Sequence, residues 1–170
     1  MIRVEQVLDS WRTIRTDTAN AVDDFACEEL AYRPTPEVET FGHIARHVLD
    51  ASDGLTGMLL AGEDDFTAAG FRDRMKSYMR PLPEGFTSAD LAAALRESME
   101  HLHKHLSARP AEFFAGMVTR FDGQKVTRLE MIQFIKEHEL THRSQLFMYL
   151  RLKGIVPATT RRRLAKQAGK

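Results

Sequence analysis

The sequence predicts an all-α protein, and more specifically a four-helix bundle. Four long segments repeat apolar residues at steps of three and four, which is the spacing of one helix face. Prolines and glycines concentrate between these segments, and strand-like alternation is scarce. The chain has 170 residues, which suits a single domain. We assign the bundle to residues 1–157 and a basic C-terminal tail to residues 158–170.

Each helix is placed by the spacing of its apolar residues and by the turn residues that interrupt it. Pro34 and Pro36 follow the first helix, and proline cannot continue a helix because it lacks a backbone donor. Thr127 opens the last helix with Glu130 three residues later, the spacing of a capping box. Gly154 suits the C-terminal cap of that helix. The four predicted helices are residues 3–25, 38–60, 88–108 and 127–153.

The connections carry weaker signals. Residues 62–86 form a long link between the second and third helices, with a short helix predicted around residues 66–78. Asp122-Gly123 lies between two short apolar segments and predicts a small hairpin before the last helix. The basic segment 158–170 is predicted to be a solvated or frayed tail, and a contact with nucleic acid or anionic lipid is the alternative.

Composition limits the classes of function. Lys+Arg and Asp+Glu both number 24, so no positive surplus favours general nucleic-acid binding. The single cysteine excludes an intramolecular disulfide and every CxxC metal knuckle. No apolar stretch approaches the roughly 20 residues of a membrane span, and the N-terminus lacks the apolar core of a signal peptide. We therefore expect a cytoplasmic protein that binds neither nucleic acid nor membranes.

Histidines are the most informative polar residues. Three pairs have a spacing of four residues, which places both rings on one helix face. The pairs are His43/His47, His101/His105 and His138/His142. On the last helix, His138 and His142 fall in the middle of the apolar stripe, so we expect both rings to point into the core and to need a hydrogen bond or a metal. On the second helix, His47 lies closer to the apolar stripe than His43. The pair on the third helix is expected to be a solvated flank.

These positions favour a metal site on His47, His138 and His142, although core histidines bonded to carbonyls or water are the alternative. Three neutral imidazoles leave one tetrahedral position open, as in catalytic zinc sites. The string His-Glu-Leu-Thr-His also matches HExxH, in which Glu139 would be the general base of a zinc protease. A bundle offers no strand-lined cleft for a peptide, which disfavours that reading. If Glu139 is not a catalytic base, it is a candidate for a surface ion pair with Arg143.

A family resemblance is carried by the last two motifs of the chain. Residues 138–146 read His-Glu-Leu-Thr-His-Arg-Ser-Gln-Leu, and residues 149–154 read Tyr-Leu-Arg-Leu-Lys-Gly. This resembles the pattern H-x-x-H-H-R-G-Q-L followed by Y-L-R-x-x-G in the DinB/YfiT-like family of metal-binding four-helix proteins. Thr141 and Ser144 depart from the pattern, where a histidine and a glycine are common. Gly42, five residues before His47, and the segment Tyr32-Arg33-Pro34 also resemble family signatures.

The resemblance implies a function as well as a fold. It implies a divalent metal on His47, His138 and His142, with zinc first and nickel or iron as alternatives, in a protein that is often a homodimer. Some members are thiol-dependent transferases or isomerases, so we expect a metal-dependent transferase that joins a small thiol to an electrophile. Arg143 and Gln145 are candidate orienting residues. A metal-dependent hydrolase and a non-catalytic metal-binding stress protein are the alternatives.

Overall fold

A computed structural model describes residues 3–25 and 30–169 of the chain. Cys27 and the last residue of the predicted tail, Lys170, lie outside the described residues. The elements of the described part are α1 (Val4–Asp23), α2 (Phe41–Leu60), α3 (Phe71–Ser77), α4 (Ser88–Ser107), α5 (Ala111–Ala115), β1 (Met117–Thr119), β2 (Lys125–Thr127), α6 (Arg128–Leu152) and α7 (Ala158–Ala168). The predicted all-α four-helix bundle is confirmed: α1 and α2 each pack against α4 and α6.

Side-chain caps fix where the long helices begin. Thr87 accepts a hydrogen bond from the Asp90 N–H, and the Asp90 carboxylate accepts one from the Thr87 N–H, which completes a capping box before α4. Thr127 and Glu130 form the same reciprocal pair before α6, as predicted. Thr40 caps α2, so that helix begins three residues later than the sequence suggested. Each such cap stabilises its helix by about 1 kcal/mol.

The core of the bundle consists of two apolar clusters with a polar layer between them. Each long helix contributes to both clusters and places a buried polar residue between its two contributions. We call these residues the polar layer: Arg15 on α1, Ser52 and Asp53 on α2, Ser98 on α4 and Glu139 on α6. Hydrogen bonds join them, since Arg15 donates to the Ser52 and Ser98 hydroxyls and to Glu139, while Ser98 donates to Asp53. The layer thus connects all four long helices.

Two glycines of α2 allow α3 to pack closely against it. A Cβ at Gly54 would lie 2.5 Å from Cγ of Met75, and a Cβ at Gly57 would lie 2.4 Å from Cβ of Tyr78. Glycine weakens a helix, but here it permits the approach of α3. The short helix predicted in the long connection is confirmed, although it is shorter than expected.

The predicted hairpin before the last helix is also present. Strands β1 and β2 pair antiparallel, with Val118 opposite Val126. Gly123 lies in the turn with φ of 83°, a left-handed conformation that favours glycine. The turn of this hairpin carries Phe121, which reaches the same side of the bundle as α3.

The C-terminal segment is helical, and the expectation of a frayed tail is wrong for Ala158–Ala168. Most of its residues are exposed, as expected for a basic segment. Two of its arginines nevertheless find acidic partners near the end of α1: Arg162 lies 2.6 Å from Asp17, and Arg161 lies 2.9 Å from Asp24. These long-range ion pairs hold α7 against the bundle, and local sequence could not reveal them. Across the described residues, no helix combines the length and apolar character that crossing a membrane requires.

Candidate metal centre

Three histidine rings meet between α2 and α6. His47 lies on α2, and His138 and His142 lie one turn apart on α6. Nε2 of His138 lies 3.0 Å from Nε2 of His47 and 3.0 Å from Nε2 of His142. One potential ligand atom from each ring lies within 4.8 Å of the other two. The structure therefore brings together the three histidines that the sequence grouped.

The contacts among these rings cannot all be ordinary hydrogen bonds. Nδ1 of His142 lies 2.7 Å from Oε1 of Gln145, and an amide oxygen only accepts, so Nδ1 carries the proton. A neutral His142 then has an unprotonated Nε2. His138 has at most one Nε2 proton to offer to its two neighbours. A cation among the three Nε2 atoms would accept all three lone pairs, so the donor set fits a metal.

Electrostatics favours the neutral form of His138 and of His47, which binding a metal requires. Burial, and then the proximity of His142 and His47, lowers the pKa of His138 to about 4. Burial, followed by the proximity of His142 and His43, also lowers the pKa of His47. His138 and His142 are half-buried, whereas His47 is exposed. The centre therefore has one protected side and one side open to solvent.

The other predicted histidines do not join the centre. Nδ1 of His43 lies 3.7 Å from a Glu39 oxygen, and its side chain is 61% exposed. His101 and His105 are exposed on α4, with ring centroids 4.3 Å apart, as expected for a solvated flank.

Glu139, not the histidine pair, occupies the middle of the buried face of α6. Its side chain is 0% exposed, whereas His138 and His142 lie at the edge of that face. Trp11 donates Nε1–H to Oε2 at 2.6 Å, and Arg15 donates Nε–H to Oε1 at 2.7 Å. The expected position of the histidines at the stripe centre is therefore wrong. Both alternatives for Glu139 are wrong as well, because a sealed and fully paired carboxylate is neither a surface partner of another residue nor an available base.

The two candidate orienting residues lie in different surroundings. Gln145 contacts the centre through Nδ1 of His142. Arg143 faces away from it: Nη1 lies 3.6 Å from Asp17, and the guanidinium lies 5.2 Å from the Phe147 ring centroid. Arg143 thus contacts α1 rather than the histidines.

A cavity of about 440 Å³ opens beside the histidines and was not foreseen from the sequence. The face of α2 that carries His47 forms one wall, and Phe134 and His138 of α6 form another. Residues of α3 and the hairpin turn close it. A partial signal was present, because Phe71, Met75 and Met79 repeat at steps of four. Nothing local indicated that this stripe would face α2.

Known proteins share this architecture. A DinB-like protein from Bacillus subtilis (YjoA) matches with a TM-score of 0.70 at 17% identity, covering 88% of this chain and 92% of that one. A mycothiol-dependent maleylpyruvate isomerase matches with a TM-score of 0.64 at 16% identity, covering 85% of this chain. A mutant of that isomerase gives a TM-score of 0.61 at 15% identity. At these identities the likeness shows the fold, and the chain spans 61% of the isomerase's length.

Sequence comparison identifies the family. No curated protein matches the chain. The sequence model of the DinB superfamily, however, matches residues 10–146. This span includes all of α2 and α4, most of α1 and α6, and all three histidines of the centre. Together with the shared fold, this match shows that the chain belongs to the DinB superfamily.

Proposed function

We propose that this protein is a metal-dependent transferase that joins a small thiol to an electrophile. His47, His138 and His142 are the proposed metal ligands. The observation that carries the proposal is the meeting of their three Nε2 atoms at the mouth of an apolar cavity. The ligand set and the cavity share two side chains, His47 and His138, as a metal-dependent reaction on a small substrate requires.

The donor set suits a divalent cation of the zinc type. Zinc–nitrogen bonds are about 2.0–2.1 Å long, so two ligands of one zinc ion lie within about 4.2 Å of each other. Both 3.0 Å separations from His138 meet that limit. Imidazole also suits nickel and iron, which are the alternatives to zinc. When bound, such an ion supplies positive charge that lowers the pKa of a neighbouring thiol and favours the thiolate.

The protein's own side chains prepare the site for this chemistry. Oε1 of Gln145 accepts a hydrogen bond from Nδ1–H of His142. This bond fixes the tautomer of His142 and orients its Nε2 toward the other rings. His47 lies at the exposed edge, where a small thiol can approach from solvent. The cavity beyond His138 shelters the electrophile from water. The thiolate sulfur would donate its electron pair to the electrophilic carbon, and the leaving group would depart with the pair of the broken bond.

The structural neighbours support a thiol as co-substrate. One of them is a maleylpyruvate isomerase that depends on mycothiol. Its likeness to this chain lies in the fold, at 16% identity, so the reaction and the substrate are proposals for this protein. The homodimer that the family resemblance implies is likewise a prediction, which sedimentation of the metal-loaded protein tests.

Thiol conjugation is the direct test. Zinc-loaded protein is incubated with mycothiol and chlorodinitrobenzene, and the conjugate is measured by absorbance and mass spectrometry. We expect conjugate formation above that of the metal-free protein and of His138→Ala, while His105→Ala, on the exposed side of α4, retains it. Product without thiol would instead identify a hydrolase. No product from a panel of thiols and electrophiles would overturn catalysis and leave a metal-binding role.

A further inference from the structure

The cavity beside the metal centre has one polar end and one apolar end. On α2, His47, Ala51 and Leu55 follow one another at single-turn spacing along its wall. Eight residues of helix span about 12 Å. On α6, Phe134 lies one turn before His138, next to the part of α2 that carries Leu55. A ligand lying along the cavity would therefore place one end at the histidines and its body among apolar side chains.

Aromatic and thioether side chains build the apolar end. Phe121 of the hairpin turn lies 5.7 Å from Phe134 and 6.2 Å from Phe71 between ring centroids. These separations fall in the range of favourable aromatic pairs. Met75 of α3 and Met79, just after that helix, complete the wall, and methionine adapts its shape to an apolar ligand. The volume of about 440 Å³ lies within the range of small-molecule pockets.

The charged side chains that line the cavity are already paired. Arg46 donates Nε–H to Oδ1 of Asp50 at 2.8 Å and an Nη2 proton to the carbonyl oxygen of Arg80 at 3.0 Å. His43 lies near Glu39. Among the described residues that line the cavity, none therefore offers an unpaired cation to a carboxylate or sulfonate in the body of a ligand. Such a group would lose its water without gaining a partner, which is costly.

We propose that this cavity binds an uncharged molecule with an apolar aryl or alkyl body and that this molecule is the electrophile of the reaction. Its reactive end lies toward His47 and His138, and its body lies between Leu55, Phe121 and Phe134. The assignment as electrophile rests on the proposed function. Binding of the body needs neither metal nor thiol, so it is tested separately from catalysis.

Two fluorescent molecules with the same aryl skeleton test the charge requirement. Phenylnaphthylamine is neutral, and anilinonaphthalenesulfonate carries a sulfonate. Each is titrated into the metal-free full chain, and fluorescence gives Kd and stoichiometry. We expect the neutral molecule to saturate at one site per chain and the sulfonate to bind at least about tenfold more weakly. Equal affinities would overturn the proposal.

A pair of charge substitutions tests the location. Met79→Glu puts a carboxylate into the cavity wall, whereas Met148→Glu puts one on the exposed face of α6, where the side chain is 56% exposed. We expect Met79→Glu to weaken phenylnaphthylamine binding at least about tenfold and Met148→Glu to leave it unchanged. Equal effects of the two variants would place the molecule elsewhere and overturn the proposal.

A second pair of variants keeps the test decisive if Met79→Glu does not fold. Loss of cooperative melting would reveal that failure. Phe121→Glu changes the hairpin turn at the cavity, and Met117→Glu changes an exposed residue of the same hairpin outside it. We expect Phe121→Glu to weaken phenylnaphthylamine binding at least about tenfold and Met117→Glu to leave it unchanged. Neutral-molecule binding without thiol conjugation would overturn the proposed function alone. Conjugation without neutral-molecule binding would overturn this inference alone.

Discussion

Arg15 and Glu139 form a two-point ion pair across the middle of the bundle. Nε of Arg15 lies 2.7 Å from Oε1 of Glu139, and Nη2 lies 2.9 Å from Oε2. The two side chains are 1% and 0% exposed. A buried ion pair adds little net stability compared with apolar residues of the same volume. Because Glu139 directly follows His138, this pair fixes the rotation of α6 and thereby the side on which its histidines emerge.

Removing one partner of this pair should be strongly destabilising. In Glu139→Ala, the Arg15 charge remains buried without its carboxylate, and we expect a loss of about 3–5 kcal/mol in the free energy of unfolding. Urea denaturation of the metal-free protein measures it. The control is the double variant Arg15→Met/Glu139→Leu, which removes both charges and should recover most of the loss. A loss below about 1 kcal/mol in the single variant would mean that water reaches the guanidinium.

Some features of the last helix could be predicted from the sequence and others could not. The capping box at Thr127 and the helix boundaries depend on local residues, and they were predictable. The centre of the buried face was not, because Glu139 reads as a surface residue until Arg15, 124 positions away, is known to face it. The grouping of the three histidines depended on helix periodicity and a family motif, and their ligation stays a prediction. The cavity combines residues of four elements that only the tertiary fold brings together.

The metal content of histidine variants tests the ligand set. His138→Ala or His142→Ala leaves two of the three proposed ligands, so bound metal should fall sharply. His43→Ala, one turn from His47 on α2, should change it little because its ring faces Glu39. Elemental analysis of protein purified without an affinity tag gives the ratio of metal to chain. If His43→Ala empties the site while His47→Ala does not, the assignment on α2 is wrong.

Gln145 should strengthen metal binding without being a ligand. Its Oε1 accepts the Nδ1 proton of His142 at 2.7 Å. Loss of such a partner typically lowers metal affinity about 10–100-fold. We expect this decrease for Gln145→Ala and a smaller one for Gln145→Glu, which keeps an acceptor. Competition with a chromogenic chelator measures the affinity. Arg143→Ala is the control, since that side chain contacts Asp17, and an equal decrease there would contradict the role of Gln145.

Gly57 should be essential for the packing of α3. In an open helix, Gly→Ala stabilises by up to about 1 kcal/mol. Here the new Cβ would lie 2.4 Å from Cβ of Tyr78, so we expect a net loss of about 1–3 kcal/mol. Gly54→Ala should cost less, because its closest contact is with Cγ of the flexible Met75 side chain, while the nearest backbone atom, the Met75 carbonyl oxygen, lies 3.1 Å away. Thermal and urea unfolding compare the two variants. Stabilisation by Gly57→Ala would mean that α3 does not pack against α2 in solution.

The pH dependence of the metal-free protein should reflect the lowered pKa of His138. Burial, and then the neighbouring histidines, holds this pKa at about 4 in the folded state, against about 6.5 in the unfolded chain. The unfolded state therefore takes up the proton first as the pH falls. The stability associated with the neutral ring is present above about pH 6.5 and is lost progressively toward pH 4.

Metal affinity should decrease over the same interval, because protons and metal compete for the same nitrogens. We expect a nearly constant affinity above about pH 6.5 and a fall below it that steepens toward pH 4, where His138 takes up its proton in the folded metal-free protein. Chelator competition at several pH values measures the affinity, and melting temperatures of the metal-free protein follow the stability. His138→Gln is the control, since it cannot titrate and should show a shallower melting profile between pH 7 and 5. An affinity that stays flat through this interval would indicate carboxylate ligands instead of His47, His138 and His142.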